Sequence, residues 1–304
     1  MELEKWYKVS KEEEFKKNPQ LDQNDIDTIR EWMAKQQYFP EIPDHQIILF
    51  LRANHFSVER TKENIENYFT MRTIYTNFFS ERIYSSEAMK TAREVIHTAF
   101  LEGTDDDGNR VFWCSLRDPN PALYNPVHCS RYLTMIFDAD QLEKGSVKGY
   151  SVVMDSTGFV FGHGIKWNLG LVKQNVAYNQ DGSNLPILRV YFINTNSVVE
   201  NLVNMAKKIM SPELAKKVYV ISTKNYSKIF DTIPKKIVPS DCGGDCGKTK
   251  EELSQETHKV VNKYADYFVL EEKLRVNDLK RAQKSKFAND VEGIQGSFKK
   301  LDLD

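Results

Sequence analysis

At 304 residues the chain is long enough for one large domain or two ordinary ones, with a sizeable core. Its 42 basic and 43 acidic residues leave a formal charge of −1 at pH 7. That balance excludes a dedicated nucleic-acid binder, so any electrostatic partner has to be met by a local patch. The opening MELEKWYKVSKEEEF is too charged for a signal peptide, and no apolar run approaches the roughly 18 residues of a membrane span. Four cysteines do not make a disulfide framework in a chain of this size, so the expectation is a cytoplasmic monomer with reduced thiols.

Residues 20–80 read as helices. LDQNDIDTIREWMAKQ spaces Ile26, Ile29 and Met33 at helical intervals after a start rich in Asp and Asn, which suits capping. PDHQIILFLRANHF follows, and then SVERTKENIENYFTMRTIYTNFF. There Ser57 can cap, and Val58, Ile65, Tyr68, Phe69 and Met71 recur around one face as helix-bundle core.

From GTDDDGNRVFWCSL the pattern changes. Asp107-Gly108 is a turn signal, and residues 111–116 alternate as a short strand. A helix over NPVHCSRYLTMIFDADQLEK leads to KGYSVVMDSTG, an apolar strand buried on both faces. A helix-like FGHGIKWNLGLVKQNVAYNQ precedes a second such strand, LPILRVYFIN. SVVENLVNMAKKIM is amphipathic, with Val199, Leu202, Val203, Ala206, Ile209 and Met210 along one side, and KKVYVIS is a third buried strand. Helices alternating with buried strands imply an α/β layer with right-handed crossovers. KTKEELSQETHKVVNKYADYFVLEEKL is helical again, and the polar last ~25 residues suit a surface-draped tail.

The motifs that suggest chemistry do not hold up. Gly247-Lys248-Thr249 looks like the end of a P-loop, but the first glycine of that motif falls on Cys242, and the preceding segment is no buried strand. Cys242 and Cys246 are half of a zinc site with no second pair, so Gly243, Gly244 and Gly247 read as a sharp turn. The three aspartates 105–107 miss the calcium-loop spacing. No G-x-S-x-G occurs, Cys129 and His128 point apart on a helix, and Trp167 stands where a dinucleotide fingerprint needs glycine. His97 and His163 read as structural. No catalytic residue, metal or cofactor is expected. One patch departs from neutrality: residues 207–236 hold eight lysines against Glu213 and Asp231, a net charge of about +6 that suits an anionic membrane surface.

Several strings in order carry a resemblance. FLRANHFSVERT, GYSVVMDSTGFVFGHG with His163, VYFINT, IPKKIVPSDCGG, ADYFVLEEKLRV and the terminal GSFKKLDLD are similar to segments of CRAL-TRIO lipid-binding proteins. The similar branch is that of the α-tocopherol transfer and retinaldehyde-binding proteins. The resemblance implies an α/β fold: a helical N-terminal domain (1–85), a mixed-sheet CRAL-TRIO lipid-binding domain with a mobile lid helix (86–252), and a C-terminal helix and tail (253–304). It implies a non-enzymatic carrier that transfers a small hydrophobic lipid between membranes, such as a tocopherol, retinoid or carotenoid. The alternative is a phospholipid- or phosphoinositide-binding sensor or trafficking adaptor.

By position, the implied lining begins with Tyr132, Leu133 and Ile136 on the first helix of the α/β domain. It continues with Met154, Phe159, Phe161 and Ile165, then Tyr178, Leu185, Ile187, Val190 and Phe192. The lid contributes Val199, Leu202, Val203, Ala206, Ile209 and Met210, and the hydroxyls of Tyr132 and Tyr178 are the expected discriminators among lipids. Lys207, Lys208, Lys216 and Lys217 are expected to orient a transient landing on anionic membrane. The chain departs from the tocopherol transfer proteins at Pro186, Leu188, Asn54 and Glu213, where those proteins carry basic residues. Generic attraction to anionic lipid is therefore expected rather than phosphoinositide-triggered release.

Overall fold

Residues 3–281 and 287 are described in a computed structural model of the chain. The N-terminal helices form where apolar periodicity coincides with a cap. In α1 (Lys11–Lys17) the caps are reciprocal: the Glu13 N–H donates to Ser10 Oγ at 3.2 Å and the Ser10 N–H donates to Glu13 Oε2 at 2.8 Å. Asp22 caps α2 (Gln23–Lys35), which turns Ile26, Ile29 and Met33 inward. These pack with α3 (Asp44–Ala53), α4 (Val58–Ile74) and the short α5 (Thr76–Phe79) around Phe50, Tyr68 and Phe69. Ser57 stands before α4, but its hydroxyl makes no capping bond.

The helix α6 (Glu87–Val95) passes directly into β1 (Ile96–Thr104), a strand that the sequence reading did not anticipate. Its first half is covered on both faces, so no inside–outside alternation marks it. Then follow β2 (Arg110–Leu116), α7 (Pro126–Lys144), β3 (Tyr150–Asp155), α8 (Phe161–Gly164) and α9 (Leu169–Ala177), the last continuing into a π-helical turn over residues 178–182. The chain proceeds through β4 (Ile187–Thr195), α10 (Ser197–Lys207), α11 (Pro212–Lys216) and β5 (Val218–Ser222). It ends in α12 (Lys250–Lys263) and α13 (Ala265–Glu271). The surface-draped tail and the GSFKKLDLD string lie outside the described residues.

The strands form one mixed sheet in the order β1-β2-β3-β4-β5, with β1 antiparallel to β2 and the rest parallel. Helices form the crossovers between the parallel neighbours, as parallel pairing requires. One face packs its Phe112, Cys114 and Val152 against Ile136 and Phe137 of α7. The other turns Trp113, Val153, Tyr191 and Ile193 against a strap carrying Ile229, Ile233 and Val238, and against Leu253 of α12.

A buried charge cluster ties the expected segments 1–85, 86–252 and 253–304 together. Arg72 donates to both oxygens of Asp138, at 2.9 and 3.0 Å, and to Glu271 at 2.9 Å. Arg82 donates to Glu271 at 2.6 Å and also to Asp138. Tyr68 and Phe79 flank the Arg72 guanidinium, and Phe268 flanks that of Arg82. Burial alone would raise both carboxyls, but the two guanidiniums outweigh it and hold Asp138 and Glu271 below the usual range.

Candidate functional site

Parallel register sets rows of side chains across one face of the sheet. Phe112, Val152, Val190 and Val218 form one row, and Cys114, Met154, Phe192 and Val220 the next. Protein cover thins along the second row, whereas the first ends on the buried Val218. Cys114 is buried under α7, Met154 and Phe192 keep part of their surface uncovered, and Val220 on the edge strand is exposed. A register shift beside Ile187 inserts Leu188 as the extra residue, and Ile187 and Val190 pack against the same core.

α10 lies over the β4–β5 end of this face. Its Val199 and Val203 are buried with Val218, against Phe159, Val190, Phe192 and Met210. The helix starts where β4 breaks. Asn194 takes a left-handed φ of +52° at a register shift, and its amide donates to Asp155 at 2.9 Å. Asn196 caps α10 through the N–H groups of Val198 and Val199 and donates to the Phe159 carbonyl at 2.6 Å. Three further contacts fix α10 and the turn after it: Lys207 Nζ to the Val218 carbonyl at 3.1 Å, the Ser211 N–H to Gln180 Oε1 at 2.7 Å, and Val198 against Gly164 of α8. A Cβ at Gly164 would stand 2.6 Å from Val198 Cγ1.

The expected lining residues divide by position. Leu133, Met154, Phe159, Leu185, Ile187, Val190, Phe192, Leu202, Ala206 and Met210 are partly covered, and Val199 and Val203 are buried. Ile136 is wholly buried in the core under α7. Five residues sit otherwise than expected. Phe161 is 70 % exposed and Ile165 63 % exposed, because the four-residue α8 carries them on its outer side; Ile209 is also exposed. Tyr178 belongs to the helical-domain core, where its hydroxyl accepts from Arg72 at 3.1 and 3.3 Å and its ring lies 4.6 Å from that of Phe79. Tyr132 is buried with its ring 5.8 Å from that of His258 on α12. The Tyr178 hydroxyl is thus already engaged, whereas that of Tyr132 is buried without a hydrogen-bond partner.

The docking lysines also divide. Lys208 and Lys216 are exposed, Lys207 is held by the Val218 carbonyl, and Lys217 faces Glu213 at 4.0 Å. Phe161, Ile165 and Leu169, all at least half exposed, add an apolar knuckle at α8 and the start of α9.

A polar group that the sequence reading had put down to structure stands at the N-terminal end of α10. His163 is fully buried, its Nδ1 accepts the Val160 N–H at 3.1 Å, and its Nε2 has no partner. Phe159 stacks on the imidazole at 4.9 Å, and Tyr124 meets it edge-on at 5.2 Å. Burial lowers its pKa, and Lys166 adds to the effect.

The turn at 239–249 is structural. Gly243 and Gly247 adopt φ of +77° and +76°, Thr249 and Glu252 make a capping box for α12, and Lys248 pairs with Glu102 and Glu256 at 2.7 and 2.9 Å. Ser254 Oγ lies 3.3 Å from His258 Nε2, but the serine is fully buried and takes up the Thr98 N–H and Arg117, so no substrate reaches it. No helix among the described residues is long and apolar enough to cross a membrane. Two small cavities of about 10 Å³ each, room for one water, lie around Leu49 and Asn184, away from α10.

Residues 96–244 match the CRAL/TRIO domain family, and residues 18–89 match the Pinta-like, UBA domain. Among solved structures, the crystal structure of Sfh5 is similar in fold, with a TM-score of 0.50 at 13% identity. The match covers 83% of this chain and 99% of that one. No curated protein matches the sequence.

Proposed function

From the match of residues 96–244 to the CRAL/TRIO domain family, we propose that the chain binds a small hydrophobic lipid between the sheet and α10 and carries it between membranes without catalysing a reaction. The observation that carries this reading is the uncovered apolar surface of Met154, Val190 and Phe192 behind a helix fastened by few hydrogen bonds. Ordinary core at the centre of a sheet is sealed; this face is sealed under α7 and incompletely covered under α10.

The energetics follow from area. A ligand with roughly 15–20 methylene equivalents gains about 12–16 kcal/mol on leaving water, roughly nine to eleven decades in partition. Escape into water is negligible, whereas a bilayer offers the same apolar environment and cancels the term. Exchange therefore requires α10 to open against a membrane. Phe161, Ile165 and Leu169 supply apolar side chains for the interface, and Lys208 and Lys216 supply charge at about 1 kcal/mol each near anionic lipid.

Headgroup recognition is the weaker reading. Arg189, the nearest basic residue on β4, is already paired with Asp105 and Asp107, and the residues on the sheet face are apolar. The test is native mass spectrometry of the purified protein before and after organic extraction, with the extract identified. A bound neutral lipid supports the carrier, a bound phospholipid the sensor. Protein that stays empty after incubation with mixed-lipid vesicles refutes both.

A further inference from the structure

We propose that His163 forms the polar end of the lipid site and selects apolar chains that carry an oxygen acceptor, such as a ketone, ester or hydroxyl oxygen. The inference rests on the carrier reading above and concerns the chemistry of the ligand. The tautomer follows from geometry. The Val160 N–H donates to Nδ1 at 3.1 Å, so Nδ1 carries no proton, and the imidazole proton sits on Nε2. That N–H is wholly buried with no acceptor, a state that costs free energy until an acceptor arrives.

The location suits a ligand terminus. Phe159, stacked on the imidazole, is only partly covered and packs into the Val199–Val203 cluster of α10. The residue after the histidine, Gly164, is the point where Val198 of α10 closes down on α8. The groups around the ring do not compete for the proton: Tyr124 meets it edge-on, and its hydroxyl already accepts from Trp167 Nε1 at 3.0 Å. Low imidazole basicity in this apolar surround keeps the group a neutral donor at physiological pH, which favours an uncharged acceptor.

The test presents 2-heptadecanone and heptadecane, matched in chain length, from phosphatidylcholine vesicles at equal mole fraction. The amount held by re-isolated protein is measured by gas chromatography. His163→Asn keeps an acceptor for the Val160 N–H and removes the Nε2 donor; His163→Gln places an amide N–H near the Nε2 position. The ketone-to-alkane ratio is expected to fall about five- to tenfold in H163N relative to the unmodified protein, and to be largely retained in H163Q. On ¹⁵N-histidine-labelled wild-type protein, the Nε2–H resonance should shift on loading with the ketone and not with the alkane, a readout that needs no variant. Equal ratios in wild type and H163N, or an unmoved resonance, overturn the role of His163 while uptake of either probe leaves the carrier intact. Uptake of neither removes the carrier reading and this inference with it.

Discussion

Gly164→Ala tests whether α10 is a lid. The added Cβ would lie 2.6 Å from Val198 Cγ1, where ordinary contact begins at 3.4 Å, so about 0.8 Å must be found. The neighbour cannot give cheaply, because Val198 is β-branched with a stiff χ1 and sits in the first turn of the helix. Overpacking of this kind costs about 1–3 kcal/mol. Closure buries Val199 and Val203, worth roughly 3–6 kcal/mol, so the clash removes a substantial part of what holds the helix down. The cost falls on the closed state alone, and it shifts the open fraction, with the release rate, by about 5- to 150-fold. Global stability should move little, since alanine is the better helix former by about 1 kcal/mol. The assay preloads the protein with parinaric acid, a fluorescent polyene lipid, and follows its transfer to quencher-bearing vesicles. Val198→Ala in the G164A background should restore the slow rate. A G164A rate equal to wild type, or no recovery on removing the valine methyls, would refute the lid assignment.

Changing Lys208 and Lys216 to Glu should slow transfer to phosphatidylserine-containing vesicles by tenfold or more at low salt and leave equilibrium loading unchanged; unchanged rates on anionic vesicles reject the docking face. Asp138→Asn should cost about 3–5 kcal/mol by leaving Arg72 and Arg82 short of a buried counter-charge, read as a lower urea midpoint; a loss below about 1 kcal/mol would deny the cluster its joining role. Stability should also fall with acid through two histidines. Burial, with Arg117 beside both rings and Arg93 near the second, lowers His97 and His258 to about 4, against an unfolded value of about 6.5. Glu251 opposes this at both rings, with Asp241 at His97, while Lys250 adds to the lowering there. The unfolded chain therefore takes up protons that the fold refuses. This stability is present above pH ~6.5 and is lost as pH falls toward 4, on the order of 1–2 kcal/mol per ring after screening. His258→Asn should flatten the urea midpoint between pH 7 and 4.5; an unaltered slope contradicts the assignment.

What could be read from the sequence followed from local periodicity. Ile26, Ile29 and Met33 repeat at helical spacing and are buried together, and the strands around Met154 and Val190 were visible as apolar runs between helical segments. β1 was hidden because both of its faces are covered and it begins without a break after α6. Site residues were harder, because position along a chain does not say which side of a short element faces inward. Resemblance places Phe161 and Ile165 in the lining, yet they stand in solvent. Tyr178 is apolar enough for a pocket, and only the distant Arg72 shows that its hydroxyl is already engaged. From sequence alone His163 reads as structural, because a satisfied histidine and an orphaned one look the same there; the Val160 N–H, three residues earlier, decides which nitrogen is left over.

The two halves of the molecule divide the mechanical work. The frame is held by Arg72, Arg82, Asp138 and Glu271, buried charges from three segments that cannot separate without stranding one another. α10 is held by hydrogen bonds at its two ends, through Asn196 to the Phe159 carbonyl and through Lys207 to Val218, with Ser211 of the following turn bonded to Gln180, and by two buried valines between them. The end bonds are net worth about 0.5–1.5 kcal/mol each, and water or lipid headgroups can replace them. The valines lose nothing on entering a bilayer, whose interior is as apolar as the sheet. In the carrier reading, opening at a membrane therefore costs far less than opening in water, while the frame stays closed in both. A carrier needs that difference, because a lid equally loose everywhere would lose its cargo in transit, and one equally tight everywhere would never deliver it.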